Sequence, residues 1–153
     1  MVTNSTIFYW TNCSTYSPPA AAPTPAIFQA SISTSVGMAA NTNTITGRTV
    51  VENTFASGSY ASGVLTVPPG RYSIGSNISF STQSTRRYFH VIINGSPRGR
   101  YEGPVTGYSS GQVFLDGVAL ASSSTIAVQT HGAAAPTIAG NLVPATFSVR
   151  ALS

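Results

Sequence analysis

The sequence predicts an all-β domain. Three observations carry that expectation: short apolar runs that alternate with polar residues, turn-forming pairs between them, and solvated positions filled by Ser and Thr in place of charge. Of 153 residues only 7% are charged, against about 25% in an ordinary soluble domain. All seven basic residues are Arg, and the acidic residues are Glu52, Glu102 and Asp116 alone. A 42% hydrophobic content excludes a disordered chain, which combines few apolar residues with high net charge. The lack of Lys and the scarcity of Glu exclude a long helical protein. The length suits one domain.

Residues 1 to 17 (MVTNSTIFYWTNCSTYS) hold the only Trp and read as an extended segment with an aromatic patch of Phe8, Tyr9 and Trp10, followed by Tyr16. Pro18, Pro19, Pro23 and Pro25 then disfavour both helix and sheet and favour a semi-rigid spacer. The division is therefore an extended N-terminal arm and spacer over 1–25 and a globular domain over 26–153. Within that domain the candidate strands are 27–36, 44–51, 63–67, 71–80, 87–93, 112–120, 124–131 and 145–152, at the spacing of a β-sandwich. In the first, Phe28, Ala30 and Ile32 share a face opposite Ile27, Gln29 and Ser31. In the last, Phe147, Val149 and Ala151 oppose Ser148, Arg150 and Leu152. Asn94-Gly95, directly after the apolar run FHVII, predicts a hairpin, because a type I′ turn needs positive φ at both central residues. Asp116-Gly117 is a second turn or bulge candidate. The polar stretch 107–111 reads as a flexible loop. Helical periodicity without Gly or Pro never extends beyond about ten residues, so helix is minor.

The net charge of +4 comes from Arg scattered between Arg48 and Arg150, which argues against the dense basic patch of a nucleic-acid binder. A single cysteine, Cys13, excludes an internal disulfide framework and a Cys-based zinc site. No run approaches the ~18 apolar residues of a membrane helix. The N-terminus lacks the basic start and apolar stretch of a secretory signal, so the chain is expected to be used as translated. The Asn-x-Ser/Thr sequons at Asn4, Asn12, Asn77 and Asn94 are those chance places in a chain rich in Ser and Thr, and glycosylation is not predicted.

The stretch VVENTFASGSYASGVLTVPPGRYSIGSNISF resembles the central signature of C1q-like domains, the trimeric jelly rolls related to tumour necrosis factor. The matching parts are Asn53, the Gly58 to Gly63 turn, the strand Val64 to Val67, and Pro68-Pro69-Gly70-Arg71-Tyr72, which stands for the family's Pro-x-x-Gly-x-Tyr corner with one residue fewer. Downstream, RRYFHVIINGSPRGR is similar to the family's strand ending in Asn-Gly, and ATFSVRAL to its closing strand with Thr146, Phe147 and Ser148. The resemblance covers about 26–153. It implies a two-sheet antiparallel jelly-roll sandwich and a homotrimer, with Tyr72, Phe80, Phe89 and Phe147 in trimer or core packing. Two departures are plain. The family's Gly-Asp before its penultimate long strand is replaced by Ser123-Ser124-Thr125, and the acidic residues that carry calcium in some members have no counterpart.

Gly107-Tyr108-Ser109-Ser110-Gly111 matches the G-x-S-x-G nucleophile elbow, with Asp116 and His131 following in hydrolase order. That motif requires strand, turn and helix, and QVFLDGVAL reads as strand, so no catalytic role is assigned and the chain is not expected to be an enzyme. His90, in an apolar run, and His131, before Gly132, lack a third metal ligand; only symmetry-related copies on an axis would gather enough. No cofactor or metal is expected. Arg86, Arg87, Arg98 and Arg100, around the 87–93 strand, are read as solvated charge or as a surface contact with an acidic partner or glycan.

The expected function is structural. The chain reads as a bacteriophage virion protein, a trimeric capsid decoration or cement protein on the capsid exterior, anchored to the major capsid protein or another virion scaffold by Phe8, Tyr9, Trp10 and Tyr16. Nucleic acid and membrane are not expected partners. The alternative is a receptor- or glycan-binding knob of a fibre or of a cell or spore surface, with Tyr60, Tyr101 and Tyr108 as loop contacts.

Overall fold

A computed structural model describes residues 24–38, 43–81, 87–103, 108–132, 137–140 and 144–153. Its strands are β1 (Ile27–Ile32), β2 (Ser35–Gly37), β3 (Asn43–Thr44), β4 (Thr49–Asn53), β5 (Ser59–Ala61), β6 (Val64–Val67), β7 (Gly70–Phe80), β8 (Arg87–Ile93), β9 (Ser96–Gly103), β10 (Ser109–Leu120), β11 (Ser124–Gly132), β12 (Thr137–Ala139) and β13 (Ala145–Leu152). Among the described residues there is no helix.

The strands form two antiparallel sheets. One has seven strands in the order β2-β12-β7-β13-β1-β4, with β10 on the other edge of β7. The second has six, in the order β5-β6-β11-β8-β9, with β3 also paired to β11. Period-two alternation decides which side chains meet between them. Phe28, Ile74, Ile78, Phe80, Phe147 and Val149 come from the first sheet, and Leu65, Phe89, Val91, Ile126 and Val128 from the second; all are fully buried. Aromatic pairs bridge the layers, with Phe28 and Tyr60 at 4.8 Å and Phe80 and Phe89 at 6.4 Å between ring centroids. Tyr72, Phe80, Phe89 and Phe147 all lie in this core.

Local chemistry fixes the turns. Asn94 and Gly95 have φ of 50° and 77° and join β8 to β9 as a two-residue hairpin with Ile93 opposite Ser96. The Asn94 side chain also accepts from Thr125 N at 2.9 Å and donates to Ser124 Oγ at 3.1 Å, tying the hairpin to the start of β11. Gly117, at φ 65°, sits where the β10–β7 register shifts between Leu115 and Val118, so Asp116-Gly117 is a bulge. At the Pro-Gly-Tyr corner the buried Tyr72 hydroxyl donates to Pro68 O at 2.6 Å.

Several segments differ from the sequence expectation: 27–36 divides into β1 and β2, 44–51 is interrupted at 45–48 between β3 and β4, and Thr137–Ala139, outside every candidate strand, is β12. Residues 109–111, read as loop, begin β10. The Gly58 to Gly63 turn contains β5, and SPRGRYEG is the strand β9. β5 is only three residues long, and the inward positions of β9 are not all large and apolar. They are Gly99, Tyr101 and Gly103. A Cβ on Gly111 would stand 2.1 Å from the Tyr101 ring, and one on Gly99 would stand 2.5 Å from Val113 Cγ1. Glycine therefore lets β9 and β10 approach and close one side of the sandwich.

Candidate functional site

The two outward faces carry different chemistry. On the seven-stranded sheet, the pairings align Phe114, Gly75, Ser148, Gln29 and Glu52 in one row across five strands. The next row is Gln112, Asn77, Thr146, Ser31 and Thr49, all neutral. Positive charge on this face comes from Arg71 and Arg150, at the end of the sheet where β7 begins. Phe114 is the exception among the small and polar side chains: it is 66% exposed, and its ring lies beside Gly75, whose added Cβ would be 3.6 Å from Cδ2. An aromatic ring standing free on a sheet of hydroxyls gains by covering. On edge strand β4, Val50 (opposite inward Ala30) and Val51 are 42% and 63% exposed.

The outward face of the six-stranded sheet gathers rings and charge instead. The pairings place Thr44, Gln129, His90 and Arg100 in one row, and His131, Tyr88 and Glu102 in the row beside it. Tyr88 is the hub. His131 stacks on it at 4.7 Å and 18°, His90 at 5.6 Å and 19°, and the Arg100 guanidinium lies 4.3 Å from its ring centroid. Arg100 also pairs with Glu102 at 2.5 Å. His90 Nε2 is buried with no hydrogen-bond partner. Burial, with Arg100 and His131 nearby, holds the His90 pKa below its ordinary value.

The sequence-derived site residues fall as follows. Phe8, Tyr9, Trp10, Tyr16 and Arg86 lie outside the described residues. Arg98 occupies the irregular step of β9 opposite Val91 and Ile92 and is exposed, as is Arg100. Arg87 is a correction: it is fully buried, donates to Ser81 O, and has its guanidinium 5.9 Å from the Phe80 ring. Its ladder neighbours are Gly132 and Gly103, which leave room for a long side chain pointing inward. Of the loop tyrosines, Tyr60 packs on Phe28 and Tyr101 packs on Phe89 at 5.6 Å, whereas Tyr108 is 65% exposed. Ser109 is buried, and Asp116 lies in the β10 bulge. His131 stands on the outward face of the opposite sheet, so the hydrolase-like order does not become a triad. Among the described residues no three of His, Cys, Asp and Glu cluster as a metal site.

From the sequence, His90 and His131 are read only as a pair lacking a third metal ligand, and Tyr88 is not singled out. The usable signal was Tyr88 and His90 two apart on one strand, sharing a face; adding His131 required the β8–β11 register.

No family model matches the chain and no curated protein does. Solved structures do. Murine APRIL is similar at a TM-score of 0.63 and 12% identity, over 84% of this chain and 99% of that one. Eiger TNF from S. frugiperda gives 0.58 and 15%, over 85% and 92%. The globular domain of zebrafish complement 1qA protein gives 0.59 and 11%, over 84% and 98%. At such identities the likeness shows the fold alone, a C1q/TNF-like jelly roll.

Proposed function

We propose that the chain is a homotrimeric structural protein of a virion surface, a capsid decoration protein whose jelly roll is held to the particle by the arm 1–25. The observation that carries self-association is Phe114, two-thirds exposed on a sheet face whose central rows are Ser, Thr, Asn, Gln and Gly, with charge only at its margins in Glu52, Arg71 and Arg150. Covering such a ring contributes about 1.5–3 kcal/mol, and neutral hydroxyls can be buried against copies without stranding charge. The sequence resemblance and the C1q/TNF-like fold favour three copies, and closed symmetry favours a finite assembly. Low charge and the Phe8-Tyr9-Trp10 arm support attachment to a larger scaffold, and three arms acting together gain avidity.

The knob alternative has less support, since Tyr60 and Tyr101 face inward and leave Tyr108 as the exposed member of its contact set. Deleting residues 1–25 tests the anchoring. A truncated chain that stays trimeric but no longer binds particles is the expected result; undiminished particle binding overturns the decoration reading.

A further inference from the structure

Between the two sheets, on the side away from β9 and β10, lies an arginine that the function above does not use. Arg48 ends the short link from β3 to β4 and is 7% exposed. Its Nη1 donates to Ile45 O at 3.1 Å, and its guanidinium lies 5.4 Å from the Phe147 ring centroid. Nε and Nη2 are buried and make no hydrogen bond of standard geometry. Those two nitrogens form the edge of a guanidinium that a carboxylate binds with two parallel hydrogen bonds. Beside them is Tyr60, which supports the Arg48 charge both electrostatically and through a side-chain hydrogen-bonding contact, although its buried hydroxyl makes no hydrogen bond of standard geometry.

A guanidinium stays protonated across ordinary pH, so a buried one calls for a counter-charge. The whole sequence offers three carboxylate side chains. Glu102 is committed to Arg100. Glu52 is on exposed β4, and Asp116 is exposed in the β10 bulge. None of them acts on Arg48, whose electrostatic neighbour is Tyr60. The undescribed segments contain no Asp or Glu. No carboxylate side chain of the sequence therefore neutralises Arg48. We infer that Arg48 and Tyr60 form a binding site for a small carboxylate, with the Nε–Nη2 edge of Arg48 gripping both oxygens and the Tyr60 hydroxyl donating to one of them. The neighbouring Thr46 and Gly47 are exposed, and Gly47 has a φ of 73°, so the cover over the site is a short loop at the surface.

The test is thermal unfolding of the full chain titrated with sodium acetate, with sodium chloride and inorganic phosphate at matched ionic strength as the other arms. Acetate is expected to raise the melting temperature saturably and beyond either control. Arg48→Gln should abolish the increment. Tyr60→Phe should weaken the apparent affinity about 2- to 10-fold, the loss of one hydrogen bond. If Arg48→Gln does not fold, the Arg48 Nε–H resonance of the unaltered chain serves instead, with a saturable downfield shift on adding acetate expected. An acetate response no larger than that of chloride, a response confined to phosphate, one that survives in Arg48→Gln, or an unmoved Nε–H resonance would overturn the site.

Discussion

The two outward faces of the sandwich rest on one core and differ in what they expose. On the seven-stranded sheet, the rows through Gly75 and Asn77 bring together Ser148, Thr146, Gln29, Ser31 and Gln112 around the free ring of Phe114. On the six-stranded sheet, Tyr88 collects His90, His131 and Arg100, and Arg100 holds Glu102. The second face stacks its rings on one another, while the first leaves its ring uncovered. On the proposed reading, this difference separates the face that meets copies of the chain from one whose rings already pack together.

Substitutions under or on each face test this contrast. The largest effects should be shared. Phe147→Ala under the neutral face and Phe89→Ala under the Tyr88 face should each cost about 3–5 kcal/mol in chemical denaturation, because both rings are fully buried. A large inequality between them would mean the faces do not rest on one cooperative core. Gly111→Ala comes next. Its methyl would meet the Tyr101 ring at 2.1 Å, and the forced shift should cost about 1–3 kcal/mol, whereas Gly95→Ala has open space and only its φ of 77° to contend with. Tyr72→Phe removes the 2.6 Å hydrogen bond to Pro68 O and should cost about 1 kcal/mol.

The smallest effect is specific to the Tyr88 face and depends on pH. The His90 pKa in the folded chain lies below its ordinary 6.5, so the unfolded chain takes up that proton first. Its contribution is complete above about pH 6.5 and is lost as pH falls through the lower folded value. Arg100 and Glu102 on β9, His131 and Gln129 on β11, and Tyr88 on β8 are the charged and polar groups around it. His90→Gln should flatten the decline in melting temperature between pH 7 and 5; an unchanged decline would place the acid sensitivity elsewhere.

Much of the sandwich was legible because its inward positions are apolar and alternate, as in β1, β8 and β13, and because Asn94-Gly95 and Asp116-Gly117 have few other uses. β9 was illegible because two of its inward residues are Gly99 and Gly103. The start of β10 was illegible because Ser109 and Gly111 face inward where an apolar residue is expected, with the Tyr101 ring occupying the space beside Gly111. Arg87 was misplaced because Arg is ordinarily solvated, and nothing local reveals that its cross-strand neighbours are glycines on two other strands. The Tyr88 cluster and the Arg48–Tyr60 pair likewise depend on which strands meet, which a single strand's pattern does not record.

The most direct measurement is the solution mass of the unaltered chain and of two single variants by light scattering. The unaltered chain is expected at three times its 15.8 kDa, with Phe114→Glu reduced to a folded monomer and Tyr88→Ala still a trimer. A monomeric unaltered chain, or a trimer that survives Phe114→Glu but dissociates in Tyr88→Ala, would contradict the assignment of the neutral face as the contact surface.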